Sequence, residues 1–295
     1  MLPNFIVIGA GKAGTTSLWG YLREHPQIFM SEPKELNFFT TEHNWGRGLA
    51  WYESHFDDAG DAVAIGEVTG SYTNWPNFAG VPERMVEVLP EARLVYVIRH
   101  PVERIVSAFR YMTLRGDEDK PMDEAIRTNP MYLSVSSYAT QIERYLEVYP
   151  PERLHVIVSE DMRDDRAATI KGVFEFLGVD PDVELEILGH EFNRTDRKLR
   201  EPRPLIRRAK KLPGYKGLVN GLPESIRQLG RRVGTRDILR LDDTQLSNET
   251  KAFIEESLRE DMGRLRKLLG NDFHRWGLAE PAATAMDNQG SQINR

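Results

Sequence analysis

The 295-residue sequence contains no cysteine, so a disulfide framework and a thiolate metal site are both excluded. Positive charge is also in the minority: the formal net charge is −6, which argues against a nucleic-acid binder but allows a local basic site. The first apolar run begins at Phe5, is short and ends in glycine, so neither a signal peptide nor a membrane span is expected there. These absences predict a soluble, cytoplasmic protein.

What the sequence does contain is an alternation of strand and helix patterns. Apolar, β-branched runs recur along the chain, and each is followed by a loop and usually by a helical pattern. The five runs are FIVIGA, QIFM, AVAIGE, RLVYVIR and LHVIVSE. Such alternation is typical of a parallel sheet with helical crossovers. The sequence therefore predicts a three-layer α/β fold in which helices flank a central parallel sheet.

The chain is long enough for one large domain, which we expect to span residues 1–279. Residues 197–240 are strongly basic, and are interpreted either as a solvated helical excursion or as a surface for an anionic ligand or a membrane. An amphipathic helix is predicted after Ser247, its N-cap, and ends at Gly270. Residues 280–295 are small and polar, and are predicted to form a disordered tail.

The stretch GAGKAGTTSL at residues 9–18 fits two kinds of nucleotide-binding loop. Its three glycines spell the G-x-G-x-x-G of a dinucleotide turn, which is a weak signal by itself. Glu32 stands roughly twenty residues farther on, where such a fold places its acidic ribose ligand. The glycine pattern alone therefore leaves a dinucleotide site open.

Lys12, Thr15 and Thr16 favour a phosphate-binding loop instead. A lysine inside the loop, two hydroxyls and the unpaired N–H groups of a helix N-terminus would together cradle a compact anion. The stretch is not an ATP-binding P-loop, because Thr15 follows Gly14 where G-x-x-x-x-G-K-[ST] requires lysine. The loop therefore predicts a phosphate ligand other than that of an ordinary ATPase.

A second anion site is predicted at the end of the fourth apolar run. Arg99 ends that run, where an ATP-hydrolysing relative would carry a metal-binding carboxylate, and Ser107 follows two turns into the next helix. An arginine at the carboxyl end of a strand can bind a phosphate beside the nucleotide crevice. The alternative for Arg99 is a surface ion pair with Glu103.

Together these stretches resemble sulfotransferases that use 3′-phosphoadenosine 5′-phosphosulfate (PAPS). GAGKAGTTSL resembles the 5′-phosphosulfate loop of that family, and VIRHPVERIVSAF resembles its 3′-phosphate motif, with the R-x7-S spacing from Arg99 to Ser107. The segments KELNFF and GEVTGSY are similar to the heparan sulfate branch, and LREDMGRLRKLLGNDFHRWG to the closing helix of bacterial members. The resemblance covers about residues 4–277 and implies a P-loop NTPase-like sulfotransferase fold.

This resemblance implies transfer of a sulfuryl group from PAPS to a hydroxyl or amine, with no metal required and with adenosine 3′,5′-bisphosphate (PAP) as product. Lys12 would stabilise the leaving phosphate and Glu35 would be the base, although Glu35 could instead pair with Lys34 or cap a turn. The less favoured bases are His43, His55 and His100. The implied donor-binding residues are Gly11, Lys12, Ala13, Gly14, Thr15, Thr16, Ser17, Arg99 and Ser107, with Asn193, Arg194 and Lys198 in a late loop over the adenine.

The acceptor is expected to be a carbohydrate, a glycolipid or another small hydroxylated metabolite, and the basic segment allows peripheral contact with a membrane. Val68 stands where the heparan branch has lysine in GEKTPSY, which argues against a heparan-like polyanion. The residues predicted to contact the acceptor are Glu67, Tyr72, Trp75 and His43, and Glu67 is alternatively a support of its loop. The alternative functions are a nucleotide kinase or NTPase, and a non-catalytic nucleotide- or glycan-binding protein on the same fold.

Overall fold

A computed structural model describes residues 1–185, 200–202, 235–237, 246–270, 273 and 275–277. Five parallel strands form one sheet in the order β2-β3-β1-β4-β5. The strands are β1 (Phe5–Gly9), β2 (Ile28–Met30), β3 (Ala64–Val68), β4 (Arg93–Ile98) and β5 (Leu154–Val158). Each of the five apolar runs therefore forms a strand, and the predicted parallel sheet is confirmed.

Helices flank this sheet, as a three-layer α/β fold requires. They are α1 (Thr15–Leu22), α2 (Leu49–Glu53), α3 (Val81–Val88), α4 (Pro101–Arg115), α5 (Met122–Thr128), α6 (Met131–Ser134), α7 (Tyr138–Leu146), α8 (Ser159–Asp164), α9 (Arg166–Leu177) and α10 (Asn248–Leu269). Short 3-10 turns cover Trp45–Arg47, Ser54–Ala59, Pro151–Arg153 and Arg275–Gly277. All residues of β1, β3 and β5 are buried, because a sheet covered on both faces needs apolar side chains on both.

Helix α10 begins and ends where the sequence predicts. Its N-cap Ser247 accepts a hydrogen bond from the backbone N–H of Thr250 at 3.1 Å, and Gly270 follows its last residue. The buried carboxylate of Asp261 on α10 accepts hydrogen bonds from the backbone N–H groups of Ala139 and Thr140. These two groups lie in the first turn of α7, where a negative charge is favourable. The contact anchors α10 to the body of the domain.

The sheet order brings four loops together at one edge. Strand β1 is central, with β3 on one side and β4 on the other, so the loops that follow β1, β3 and β4 leave the sheet beside each other. In open α/β sheets, ligands bind at the carboxyl edge where successive connections diverge. The loop after β2 lies beside that of β3, which places Glu35 at the same edge.

Only two pieces of the basic segment 197–240 are described. The strands β6 (Arg200–Pro202) and β7 (Thr235–Asp237) pair antiparallel, and β6 contacts α4. The rest of that segment and the predicted tail at residues 280–295 lie outside the described residues.

Candidate active site

The loop between β1 and α1 holds Lys12 in a left-handed backbone conformation. Its φ is 74°, a region that costs a non-glycine residue roughly 1–2 kcal/mol. Gly14, with φ 112°, is the N-cap of α1 and leaves the first helical turn without a side-chain cap. The N–H of Gly11 donates to the carbonyl oxygen of Gly70 at 3.0 Å, which ties the loop to the end of β3. The surrounding structure thus fixes Lys12 against its local preference.

The ammonium group of Lys12 interacts with two residues that are distant in sequence, Tyr111 on α4 and Arg99 after β4. It is 4.5 Å from the ring centroid of Tyr111 on α4, within range of a cation–π interaction. Burial lowers the pKa of Lys12, and the positive charge of Arg99 lowers it further. Lys12 and Arg99 are therefore close enough to interact electrostatically, and a partly desolvated cation attracts an anion more strongly than a solvated one.

Arg99 follows the last residue of β4 and remains partly exposed. Its Nη2 lies 2.8 Å from Oε2 of Glu103, so the surface ion pair considered as the alternative is present. The hydroxyl of Tyr138 donates to the carbonyl oxygen of Arg99 at 2.7 Å and holds the backbone at the strand exit. Ser107 lies one turn before Tyr111, on the face of α4 that reaches Lys12. Arg99 and Ser107 therefore both lie near the Lys12 loop.

Glu35 lies in the segment after β2, against the end of β3. Its N–H donates to the carbonyl oxygen of Val68 at 2.9 Å, and its Oε2 accepts a hydrogen bond from the N–H of Gly70 at 3.0 Å. The residue is exposed, yet desolvation by the surrounding protein raises the pKa of its carboxyl group, and Lys34 and the Gly70 N–H oppose that rise. An accessible carboxylate with a raised pKa is suited to accept a proton. Of the two alternatives that the sequence offered, the turn contact is present at Gly70, whereas Lys34 acts on Glu35 through its charge.

Lys34 is a site residue that the sequence did not single out. Its Nζ donates to Oγ1 of Thr16, an exposed residue in the first turn of α1, at 2.8 Å. Burial lowers the pKa of Lys34, the carboxylate of Glu35 raises it, and Lys12 lowers it again. Lys34 therefore connects the helix N-terminus, Lys12 and Glu35. The only sequence signal was its position beside Glu35 in KELNFF, which an ordinary surface lysine would share.

Glu67 and Tyr72, predicted to contact the acceptor, lie in the interior instead. Glu67 is fully buried and Tyr72 is 2% exposed. The Tyr72 hydroxyl donates to Oε1 of Glu67 at 3.0 Å. Because neither side chain faces solvent, this placement corrects the predicted acceptor contact and agrees with the alternative of a loop support.

Trp75 and His43 are exposed, and the described contacts of their side chains are with other residues than the charged groups of the site. Arg144 lies over the Trp75 ring at 5.9 Å, and the His43 ring packs edge-on against Phe78 at 5.1 Å. Nδ1 of His43 also lies 3.1 Å from Oγ1 of Thr40. These contacts do not join either residue to Lys12 or Glu35.

Among the described contacts, the other two histidines considered as bases form no hydrogen bond with Lys12 or Glu35, and Nδ1 of His100 is buried without a hydrogen-bond partner. Nδ1 of His55 lies 2.8 Å from the carbonyl oxygen of Trp51. His100 precedes α4 and donates its backbone N–H to Oε1 of Glu160, and burial lowers the pKa of its ring. The predicted adenine contacts, Asn193, Arg194 and Lys198, lie outside the described residues.

No group of three or more His, Asp or Glu side chains in the described part of the chain is placed to hold a metal ion. Among the helices that the structure describes, none combines the length and the apolar character needed to cross a membrane. The site itself is a helix N-terminus with two nearby lysines, an arginine and an accessible carboxylate, a combination suited to a polyanionic ligand and to proton transfer.

Comparison with known proteins agrees with this arrangement. The model of the sulfotransferase domain family matches residues 2–198. The human bifunctional heparan sulfate N-deacetylase/N-sulfotransferase 3 is 30% identical over 200 residues, which is 61% of this chain and 23% of the relative. Human heparan sulfate glucosamine 3-O-sulfotransferase 5 is 26% identical over 195 residues, 62% of this chain and 55% of the relative. The chain thus spans about a quarter to about half of these relatives.

A solved structure extends the likeness to three dimensions. The sulfotransferase from Alicyclobacillus acidocaldarius superimposes with a TM-score of 0.58 at 28% identity, covering 66% of this chain and 88% of that one. The family match covers about two thirds of the chain and includes the Lys12 loop, Glu35, Arg99 and Ser107. The chain therefore belongs to the sulfotransferase family.

Proposed function

We propose that this protein transfers a sulfuryl group from PAPS to a hydroxyl or amine of a carbohydrate, a glycolipid or another small metabolite. The observation that carries the proposal is the convergence of Lys12, Arg99 and Glu35 at the carboxyl edge of the sheet, from three different loops. Membership of the sulfotransferase family supports the reaction class.

The residues present fit the two anionic ends of PAPS. The 5′-phosphosulfate matches the first turn of α1 with Lys12, Lys34 and Thr16, where two cations and a hydroxyl meet the positive end of the helix. The 3′-phosphate matches Arg99 and Ser107. The Arg99 ion pair with Glu103 is solvent-exposed and therefore weak, so a phosphate can replace the carboxylate.

Three side chains carry the chemistry in this proposal. PAPS supplies an activated sulfuryl group, whose bond to the 5′-phosphate breaks as a bond to the acceptor forms. Glu35 accepts the proton that the acceptor loses. Lys12 stabilises the charge that develops on the departing phosphate, and Lys34 holds that phosphate against the N-terminus of α1. Positioning and charge stabilisation supply most of the catalysis, as in phosphoryl transfer.

The acceptor side is described by two features near these groups. Tyr111 is 41% exposed and contacts Lys12, so its ring is suited to pack against a sugar or an aryl group. Val68 is fully buried where the heparan branch has a lysine, so this position provides no cation. We therefore favour a neutral or weakly charged acceptor over a heavily sulfated polysaccharide, although two relatives are named for heparan sulfate.

Calorimetry tests the donor assignment. PAP, ATP and NAD are titrated into the protein without magnesium, and PAP is expected to bind most tightly. Lys12→Ala should weaken PAP binding, and Lys171→Ala, a lysine on α9 that pairs with Asp182, should leave it unchanged. Binding of ATP as tight as that of PAP, or a requirement for a metal ion, would contradict the assignment.

An acceptor screen tests the reaction itself. Sulfur-labelled PAPS is incubated with lipid extracts, polysaccharides and small hydroxylated metabolites, and labelled products are separated. Glu35→Gln is expected to abolish turnover and to keep PAP affinity, whereas Glu32→Gln, an exposed partner of Arg23 in the same segment, should keep both. A fully active Glu35→Gln enzyme would exclude Glu35 as the base.

A further inference from the structure

We propose that Glu67 and Tyr72 are positioning residues for Glu35, and that they act through a buried hydrogen-bond network under the segment 35–39. This inference rests on the role proposed above for Glu35. Both side chains are buried, so neither is available to contact the acceptor. Their effect on the reaction must pass through the backbone that carries the base.

The carboxyl group of Glu67 is the centre of the network. Its Oε1 accepts hydrogen bonds from the hydroxyls of Tyr52 at 2.7 Å and Tyr72 at 3.0 Å, and its Oε2 accepts one from Thr69 at 2.9 Å. All four side chains are buried. The carboxyl group orients the three hydroxyls that donate to it. These hydrogen bonds offset the free-energy cost of burying the carboxyl group.

Two of those hydroxyls also hold the backbone that follows Glu35. The Tyr72 hydroxyl accepts a hydrogen bond from the N–H of Phe38 at 2.9 Å and a longer one from Phe39 at 3.4 Å. Oγ1 of Thr69 accepts from the N–H of Asn37 at 3.4 Å. The network therefore ends on three successive amide groups, and the nearest is two residues from Glu35.

The segment needs this support because its backbone is strained. Glu35 has φ 61°, in the left-handed region that disfavours most non-glycine residues, and Asn37 has φ 50° in the same region, which asparagine adopts more readily than most residues. In this conformation the Glu35 carboxylate accepts a hydrogen bond from the N–H of Gly70 at 3.0 Å. A chain held by fewer hydrogen bonds would relax toward ordinary dihedral angles and move the carboxylate.

Tyr52 offers a matched control for Tyr72. Both tyrosines are buried and both donate to the same oxygen of Glu67. Only the Tyr72 hydroxyl also accepts from the Glu35 segment, whereas Tyr52 stacks its ring on Phe38 at 4.3 Å. Replacing either by phenylalanine removes one donor to Glu67 and keeps the ring, so the difference between the two variants isolates the link to Glu35.

The experiment compares Tyr72→Phe and Tyr52→Phe in the full chain. PAP formation from PAPS is measured with an acceptor fraction that supports wild-type turnover. Tyr72→Phe is expected to lower kcat about tenfold with little change in the KM for PAPS, and Tyr52→Phe to lower it by less than about twofold. Amide hydrogen exchange at Phe38 and Phe39 should accelerate in Tyr72→Phe only, because the N–H of Phe38 then loses its acceptor.

Equal effects of the two substitutions on kcat and on amide exchange would overturn the proposal, because a purely structural role predicts a similar loss for both. If Tyr72→Phe does not fold, Thr69→Val removes the link to Asn37 instead, and the same pattern of lowered kcat and unchanged KM is expected. Glu35→Gln is measured in parallel: a fully active variant defeats the base assignment and this inference together. An inactive variant combined with equal tyrosine effects defeats this inference alone.

Discussion

Glu67→Gln tests whether the centre of this network is an ionised or a neutral carboxyl group. Burial raises the pKa of Glu67 to about 7, against its ordinary value of 4.5, and the hydrogen bonds from Tyr52, Thr69 and Tyr72 only partly oppose the rise. Glutamine has the shape of the neutral acid. Its oxygen can accept from both tyrosines, and its amide can donate to the hydroxyl oxygen of Thr69, which also serves as an acceptor.

The raised pKa determines how stability depends on pH. The folded protein binds the Glu67 proton more tightly than the unfolded chain does. The stability that this protonation contributes is therefore complete below about pH 4.5 and is lost as pH rises through about 7. At about 1.4 kcal/mol per pH unit, the loss between these two values is about 3 kcal/mol. Glu67→Gln cannot ionise and should not show this loss.

Urea denaturation of both proteins at several values between pH 5 and 9, at constant ionic strength, measures the effect. The free energy of unfolding of Glu67→Gln should approach or match that of the wild type at pH 5 and exceed it at pH 8 by up to about 3 kcal/mol. Tyr52→Phe removes a hydrogen-bond donor that lowers the pKa of Glu67. In that variant the pH at which stability is lost should therefore be higher than in the wild type. Parallel curves for Glu67→Gln and the wild type would refute the reasoning.

Three further measurements address other parts of the site and the fold. Because the pKa of Glu35 is raised, the acidic limb of the kcat–pH profile should lie above the pH range of an ordinary glutamate. Lys34→Met should move that limb to still higher pH, since the charge of Lys34 lowers the pKa of Glu35. An unmoved limb would show that Lys34 does not influence the pKa of the base. Glu103→Gln removes the competing partner of Arg99 and should tighten PAP binding in calorimetry by a factor of about two to five; weaker binding would contradict a role of Arg99 at the 3′-phosphate. Ser247→Ala should lower the free energy of unfolding by about 1 kcal/mol without changing PAP affinity, and unchanged stability in urea would show that the cap of α10 is dispensable.

The strands and the main helix boundaries could be predicted because they depend on local patterns. FIVIGA is apolar throughout and RLVYVIR is apolar between its two arginines, as a strand buried on both faces requires, and these apolar positions lie in buried strands. Helix α10 begins after Ser247, whose hydroxyl accepts a hydrogen bond from an N–H in the first turn, and it ends at Gly270. Both effects act within a single helical turn. Such signals do not require knowledge of distant neighbours.

The glycines of the first loop are explained by the space and the backbone geometry around them. A Cβ at Gly9 would lie 2.0 Å from Oγ1 of Thr73, and Gly14 has φ 112° at the N-cap of α1. Both positions thus require glycine for space and for backbone geometry, whichever nucleotide the loop holds. The glycine pattern could not by itself separate a dinucleotide turn from a phosphate loop for this reason.

Lys34, Glu67 and Tyr72 are the residues whose places could not be predicted. Lys34 meets Thr16 across eighteen positions, and Tyr72 meets Phe38 across thirty-four. Each pairing depends on which strands lie side by side. A sequence pattern identifies a strand, but it carries little information about the neighbour of that strand in the sheet.

The amino-acid sequence alone predicted an α/β protein with a loop suited to a phosphate and a distant arginine, because hydrophobic periodicity and the chemistry of single side chains are local properties. Tertiary structure decided how these parts combine. Since β3 lies between β2 and β1, the loop that carries Glu35 packs on the turn at Gly70, and that turn packs on the Lys12 loop. The same order of strands buries Glu67 and Tyr72 beneath the proposed base. The local sequence GEVTGSY does not indicate these contacts, because they are made with residues of another segment.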